Sequence, residues 1–203
     1  MKILLILFLS LATIRAQTSV AYSPVMGYNT VYLDAGASVV TNPFINGSIY
    51  SGNAIVDGET FTINNVLSNN ITDYPYYVEI TSTNYNGSIF DVISNNKNII
   101  TASNVPSSLQ GQDVSINIRP HTTIQQFISN STGLQDYSDA LSTPDGNGGC
   151  VTYIYISGGI VAGDYVSPAS NVIVYPEEGL IINNSANVSI KFWGELVYTN
   201  DIQ

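Results

Sequence analysis

The strongest constraint on the fold is a recurrence. Short runs of β-branched and aromatic residues, each closed by a turn signal, repeat along most of the chain. Each run has the length of one strand, and the Gly, Asn and Asp between them suit tight turns, so the pattern predicts an all-β sandwich or barrel. Residues 28–33 (YNTVYL) come first, closed by Asp34-Ala35-Gly36. Residues 54–56 and 59–63 flank Asp57-Gly58, a pair that accepts positive φ at both central positions of a type I′ hairpin. A meander follows over residues 77–81, 88–93, 98–102 and 114–119, with turns expected at Asn86-Gly87 and Asn95-Asn96. In its last strand Val114, Ile116 and Ile118 alternate with Ser115 and Asn117, the mark of a strand with one buried face.

Pro120 ends the meander. Residues 122–129 form the one predicted helix, with Thr122 as cap and Gln125 closing a capping box, and with Ile124, Phe127 and Ile128 on one face. Residues 130–149 read as a polar loop. Residues 150–156 (CVTYIYI) are the most apolar strand, and 172–175, 180–182, 188–193 and 195–198 complete the set, with a turn at 176–179 (PEEG). No fixed-period repeat is visible. The expectation is a single β-rich domain over residues 17–203, built of antiparallel strands in a sandwich or barrel-like arrangement with one short helix and one continuous core. The alternative is a division into two lobes, about 27–120 and 138–200.

The first residues predict the compartment. Lys2 precedes a short apolar run over residues 3–14, and Ala16 offers a cleavage point that would leave Gln17 first. This is the pattern of a secretory signal peptide, residues 1–16, and it implies export to the periplasm, the outer surface or the extracellular space. No later run has spanning length. Loss of Lys2 and Arg15 would move the formal charge from −10 to −12, leaving Lys97, Arg119 and Lys191 as the cations. So acidic a chain is a poor partner for nucleic acid or an anionic membrane, which need a basic patch. Apolar residues make up 44% of the chain, which argues against disorder. Cys150 is the only cysteine, so no intrachain disulfide forms, and burial in the core is its expected role.

Catalytic signals are weak. Nucleophilic catalysis by a Ser-His-Asp or Cys-His set would have to use His121, the only histidine, which beside Pro120 and a helix start reads as a packing residue. Glu177-Glu178 are adjacent in a turn, and Glu79 and Asp91 lie on strands that could be neighbours; fifteen acidic residues supply such pairs by chance. Asp145-Gly146-Asn147-Gly148-Gly149 begins like a calcium loop, but Gly149 and Ile156 stand where oxygen ligands belong, so a glycine-rich turn is expected. No catalytic, cofactor-binding or metal residue is assigned, and no cofactor is implied. Arg119 ends a half-buried strand and is expected to hold a neighbouring loop or acid rather than a ligand. Abundant Tyr, with Asn and Asp, suits either sugar stacking or cross-strand packing, and Trp193 is the only tryptophan. Asn46, Asn86 and Asn187 head glycosylation triplets that composition alone would produce.

Three stretches together resemble a family of exported β-rich proteins that occur as multiple paralogues in Verrucomicrobia. They are residues 27–44 (GYNTVYLDAGASVVTNPF), 76–123, and 174–197 with YPEEG and FWGELV inside. Members often carry an aromatic residue where Thr122 stands. The resemblance implies export and a β-rich fold, and brings no catalytic residues.

The functional expectation is therefore an exported, non-catalytic protein of the cell surface or matrix, structural or adhesive, whose partner is a surface polysaccharide or a second copy of itself. The alternative is a carbohydrate-binding module, with a carboxylate-based hydrolase third. A clustered strip of exposed Tyr and Asn in a groove would favour sugar binding. Two close carboxylates in a cleft would favour the hydrolase, and a flat apolar patch or an unpaired edge strand would favour assembly.

Overall fold

The computed structural model describes residues 26–65, 67, 75–175 and 178–196. The signal-peptide segment, Gln17, Glu177 and Tyr198 lie outside the described residues. The chain is all-β and antiparallel with one short helix, as its patterning predicts. In order, the elements are β1 (Met26–Leu33), β2 (Gly36–Val40), β3 (Phe44–Ile45), β4 (Tyr50–Asp57), β5 (Thr60–Ile63) and β6 (Tyr76–Ile80). There follow β7 (Ile89–Asn96), β8 (Ile99–Ala102), β9 (Asp113–Pro120), β10 (Thr122–Thr123) and α1 (Ile124–Ser129). The last are β11 (Ser131–Thr132), β12 (Ala140–Pro144), β13 (Cys150–Ile156), β14 (Gly159–Ala162), β15 (Ile173–Val174), β16 (Leu180–Asn184) and β17 (Val188–Leu196).

Sandwich and barrel are both present. Six strands close a barrel in the order β4-β5-β8-β7-β6-β9. Its interior is filled by alternate side chains such as Val56, Phe61, Val78, Ile100, Val114, Ile116 and Ile118, all at most 1% exposed, as expected of so small a barrel. The rest forms two larger sheets, β1-β17-β11 with β3 also on β17, and β14-β13-β12-β16-β2, and a two-stranded pairing of β10 with β15. Between the two larger sheets lie Phe127 and Phe192, ring centroids 5.2 Å apart and edge to face, with Leu141, Leu180, Ile182 and Ile190. The buried apolar residues thus form two clusters, not the one continuous core expected. The barrel is inserted between β3 and β10, so the first three strands pack with the last part of the chain.

Several local expectations shift by a residue or two. The β4–β5 loop is Gly58-Glu59, since Asp57 still pairs with Thr60; Gly58, at φ +60, takes the first central position, where a type II′ turn wants glycine. The β7–β8 loop is Lys97-Asn98 rather than Asn95-Asn96. Helix α1 is capped by Thr123 with Gln126 as its box partner, one residue later than predicted, while Ile124, Phe127 and Ile128 are buried together as expected.

Other differences have larger causes. The segment read as a polar loop contains β12, which buries Leu141 and Thr143. Cys150 is exposed, not buried. Strand β16 pairs with β12 only as far as Ser142, and β14 reaches β13 only from Tyr153 onward. The tip of the β12–β13 hairpin therefore projects past both neighbours, and its apolar residues stay in solvent. Finally, β17 runs unbroken through Gly194. A Cβ there would lie 2.4 Å from the Ile45 carbonyl oxygen, so this glycine permits close approach of β3 instead of ending a strand.

Candidate functional site

Four polar residues singled out from the sequence, Glu79, Asp91, Arg119 and His121, gather where barrel meets sandwich, but as ties between strands. Arg119, at the end of β9, is 6% exposed. Its Nε donates to Glu79 on β6 at 2.8 Å, and its Nη1 to the Asn46 carbonyl at 2.9 Å and to the Glu195 carboxylate on β17. This is the structural role expected of it. His121 is 1% exposed. Its Nε2–H donates to Asp91 Oδ1 at 2.9 Å, and its ring lies against Tyr77 and edge-on to Tyr175. The Tyr175 hydroxyl donates to the other Asp91 oxygen at 2.9 Å. Burial, opposed by Asp91, holds the His121 imidazole below its usual range. Burial also pushes Tyr77 and Tyr175 up to about 12, helped by Glu79 in the first and the hydrogen bond to Asp91 in the second.

Glu79 and Asp91 do sit on neighbouring strands, but each is held by different partners, Glu79 by Arg119 and Asp91 by His121 and Tyr175. Glu178 accepts from the Tyr175 main-chain N–H. The Asp145 carboxylate is occupied by its own turn, with Oδ1 accepting the N–H groups of Asn147 and Gly149 at 2.8 Å each. Those bonds hold its pKa below the usual carboxylate value. Among the described residues no three His, Cys, Asp or Glu side chains converge as a metal site.

A different place is built for contact. Strand β17 pairs with β1 along one edge. Its other edge is shared by two short strands, β11 at Ser189–Ile190 and β3 at Glu195–Leu196. Between them is a gap, and a groove of about 200 Å³ opens in it. The Lys191 N–H donates across this edge to the Asn130 carbonyl at 2.9 Å. Main-chain groups two residues apart point the same way along a strand, so the Trp193 N–H and C=O face the groove. The Trp193 indole, 53% exposed, stands at its rim.

The groove is lined by Asn42, Asn46, Gln125, Gln126, Asn130 and Asn171, with Thr122, Thr123, Ser129, Phe127 and Phe192, and no charged residue. Asn46 and Gln126 pair amide to amide at 3.3 Å in both directions, and Asn46 Nδ2 also donates to the Pro120 and His121 carbonyls. They form a fixed floor, which makes Asn46 a poor glycosylation site. The Asn130 and Asn171 side chains make no hydrogen bond to another described residue. Each can offer two donors and an acceptor to a ligand.

No family model matches the chain, nor does any curated protein or solved structure. The site therefore has to be understood from its own chemistry. It combines an exposed indole, unengaged amides and no formal charge, which suits a polar, uncharged ligand with one apolar face. Its described lining offers hydroxyls and amides and holds no carboxylate, imidazole or thiol. The sequence suggests sugar stacking on exposed Tyr with Asn and Asp, but neither Trp193 as the stacking ring nor the groove is legible in it. The one local signal was the amide-rich run Gln125, Gln126, Ser129 and Asn130 around a helix with a single buried face.

Proposed function

We propose that this is an exported, non-catalytic protein that adheres to polysaccharide through the amide-lined groove beneath Trp193. The observation that carries the proposal is an exposed tryptophan beside unpaired amides in a groove without charge. A sugar ring presents C–H groups on its faces, which pack on an indole, and hydroxyls at its edge, which both donate and accept. Asn and Gln match those hydroxyls, since each amide does both. The shallow, preformed site fits weak, repeated contacts, the kind that adhesion sums over many copies.

Export of the acidic chain would place such a site among surface or matrix glycans. The engagement of Glu79 by Arg119 and of Asp91 by His121 and Tyr175 supports a binding role over hydrolysis. A panel of glucan, mannan, xylan and chitin preparations tests the proposal. Retention of the protein by at least one polymer without chain cleavage is expected. Trp193→Ala should weaken retention about tenfold, the loss typical of an aromatic anchor. Reproducible chain cleavage, or no retention by any polymer, contradicts it.

A further inference from the structure

We infer that the binding track continues past the groove across the outer face of β1 and β17, so that the ligand is an extended chain of several uncharged sugar units. The inference rests on the glycan-binding function proposed above. Trp193 stands directly opposite Tyr28 in the β1–β17 register. Residues opposite one another on paired strands project from the same face, so the 66% exposed Tyr28 continues the apolar shelf of Trp193. Thr30 Oγ1 donates to the Tyr28 hydroxyl at 2.9 Å, which lays the phenol along β1.

Farther along the same face come the Thr30–Lys191 pair and then the Tyr32–Ser189 pair. Tyr32 is 81% exposed. It borders a second hollow of about 280 Å³ with Asp34, Thr132, Gly133, Asn187 and Ser189. Trp193 and Ser189 are four residues apart, which at a strand rise of about 3.3 Å puts the two hollows about 13 Å from each other.

Two hollows at the ends of one aromatic shelf match a chain that fills both, not a single sugar. A polyanion is disfavoured by the net charge of −10. Lys191, midway along the track, is then a hydrogen-bond donor to hydroxyl or ring oxygens.

Calorimetric titration with size-graded oligomers of glucan, mannan, xylan and chitin tests this. Affinity should rise with chain length and then level off once the oligomer spans both hollows. Tyr32→Ala should weaken the long oligomers about tenfold and leave the short ones unchanged, whereas Trp193→Ala should weaken all of them. Long oligomers that bind Tyr32→Ala as they bind the wild type would overturn the extended track and leave the groove standing. Unimpaired binding by Trp193→Ala, or no binding of any oligomer, would overturn both. If sedimentation shows a dimer that Tyr28→Ala or Tyr32→Ala dissolves, with no dependence on oligomer length, the face is a self-association surface and the inference fails.

Discussion

Arg119 of the barrel and Glu195 of the sandwich form a buried ion pair, with Glu79 holding the other side of the same guanidinium. The arrangement joins β6, β9 and β17, elements that belong to two separate hydrophobic clusters. Truncating the arginine would strand two carboxylates that have little access to water. Arg119→Ala should therefore cost about 2–4 kcal/mol, more than the pair itself contributes, because its partners lose their compensation. Arg119→Lys should recover only part, since a single ammonium lacks the guanidinium fork that reaches Glu79 from Nε and Asn46 and Glu195 from Nη1. Urea denaturation of the three proteins checks this; equal midpoints would mean that the junction is held by other contacts.

His121 gives the fold a pH dependence of definite sign. Its folded pKa is depressed below 6.5 by burial, against the pull of Asp91, and Tyr77 and Tyr175 are titratable groups that face it. Above 6.5 the imidazole is neutral in both states and its contribution is fully present. As pH falls below 6.5 the unfolded chain takes up the proton first, so stability declines toward the folded pKa. Melting temperature should drop between neutral pH and about 5, and His121→Asn should flatten that part of the curve. A wild-type curve that is level there, or a variant that matches its slope, would show that the histidine titrates freely in the folded protein.

Gly27 is required by Phe44. A Cβ at position 27 would lie 2.0 Å from the Phe44 ring, which is buried in the sandwich cluster. Gly27→Ala should therefore displace the ring and destabilise by about 1–3 kcal/mol, the usual range for overpacking. Thermal melts compare the two proteins. An unchanged melt would mean that the ring can turn aside at no cost.

The parts of this structure that were legible in the sequence are those fixed by near neighbours. Alternation in Val114, Ile116 and Ile118 marks the inward face of β9, and Ile124, Phe127 and Ile128 mark the buried face of α1. Turn positions slipped because residues flanking a loop carry the same preferences as those inside it; Asp57 and Asn96 both remain paired. Cys150 was misjudged because an apolar run does not reveal how far its neighbours extend. The groove was hidden for a related reason. Asn42, Asn130, Asn171 and Trp193 meet only through the gap between β3 and β11, a feature of long-range pairing with no local signature.

The central claim can be tested at one residue. Trp193 is the only tryptophan in the chain, so its fluorescence reports on the rim of the groove without interference from another indole. On titration with a retained polysaccharide, the emission should shift to shorter wavelength and saturate, and acrylamide quenching should fall as sugar covers the ring. Saturable binding seen by calorimetry, with the emission and quenching of Trp193 unchanged, would contradict the account and place the contact elsewhere on the molecule.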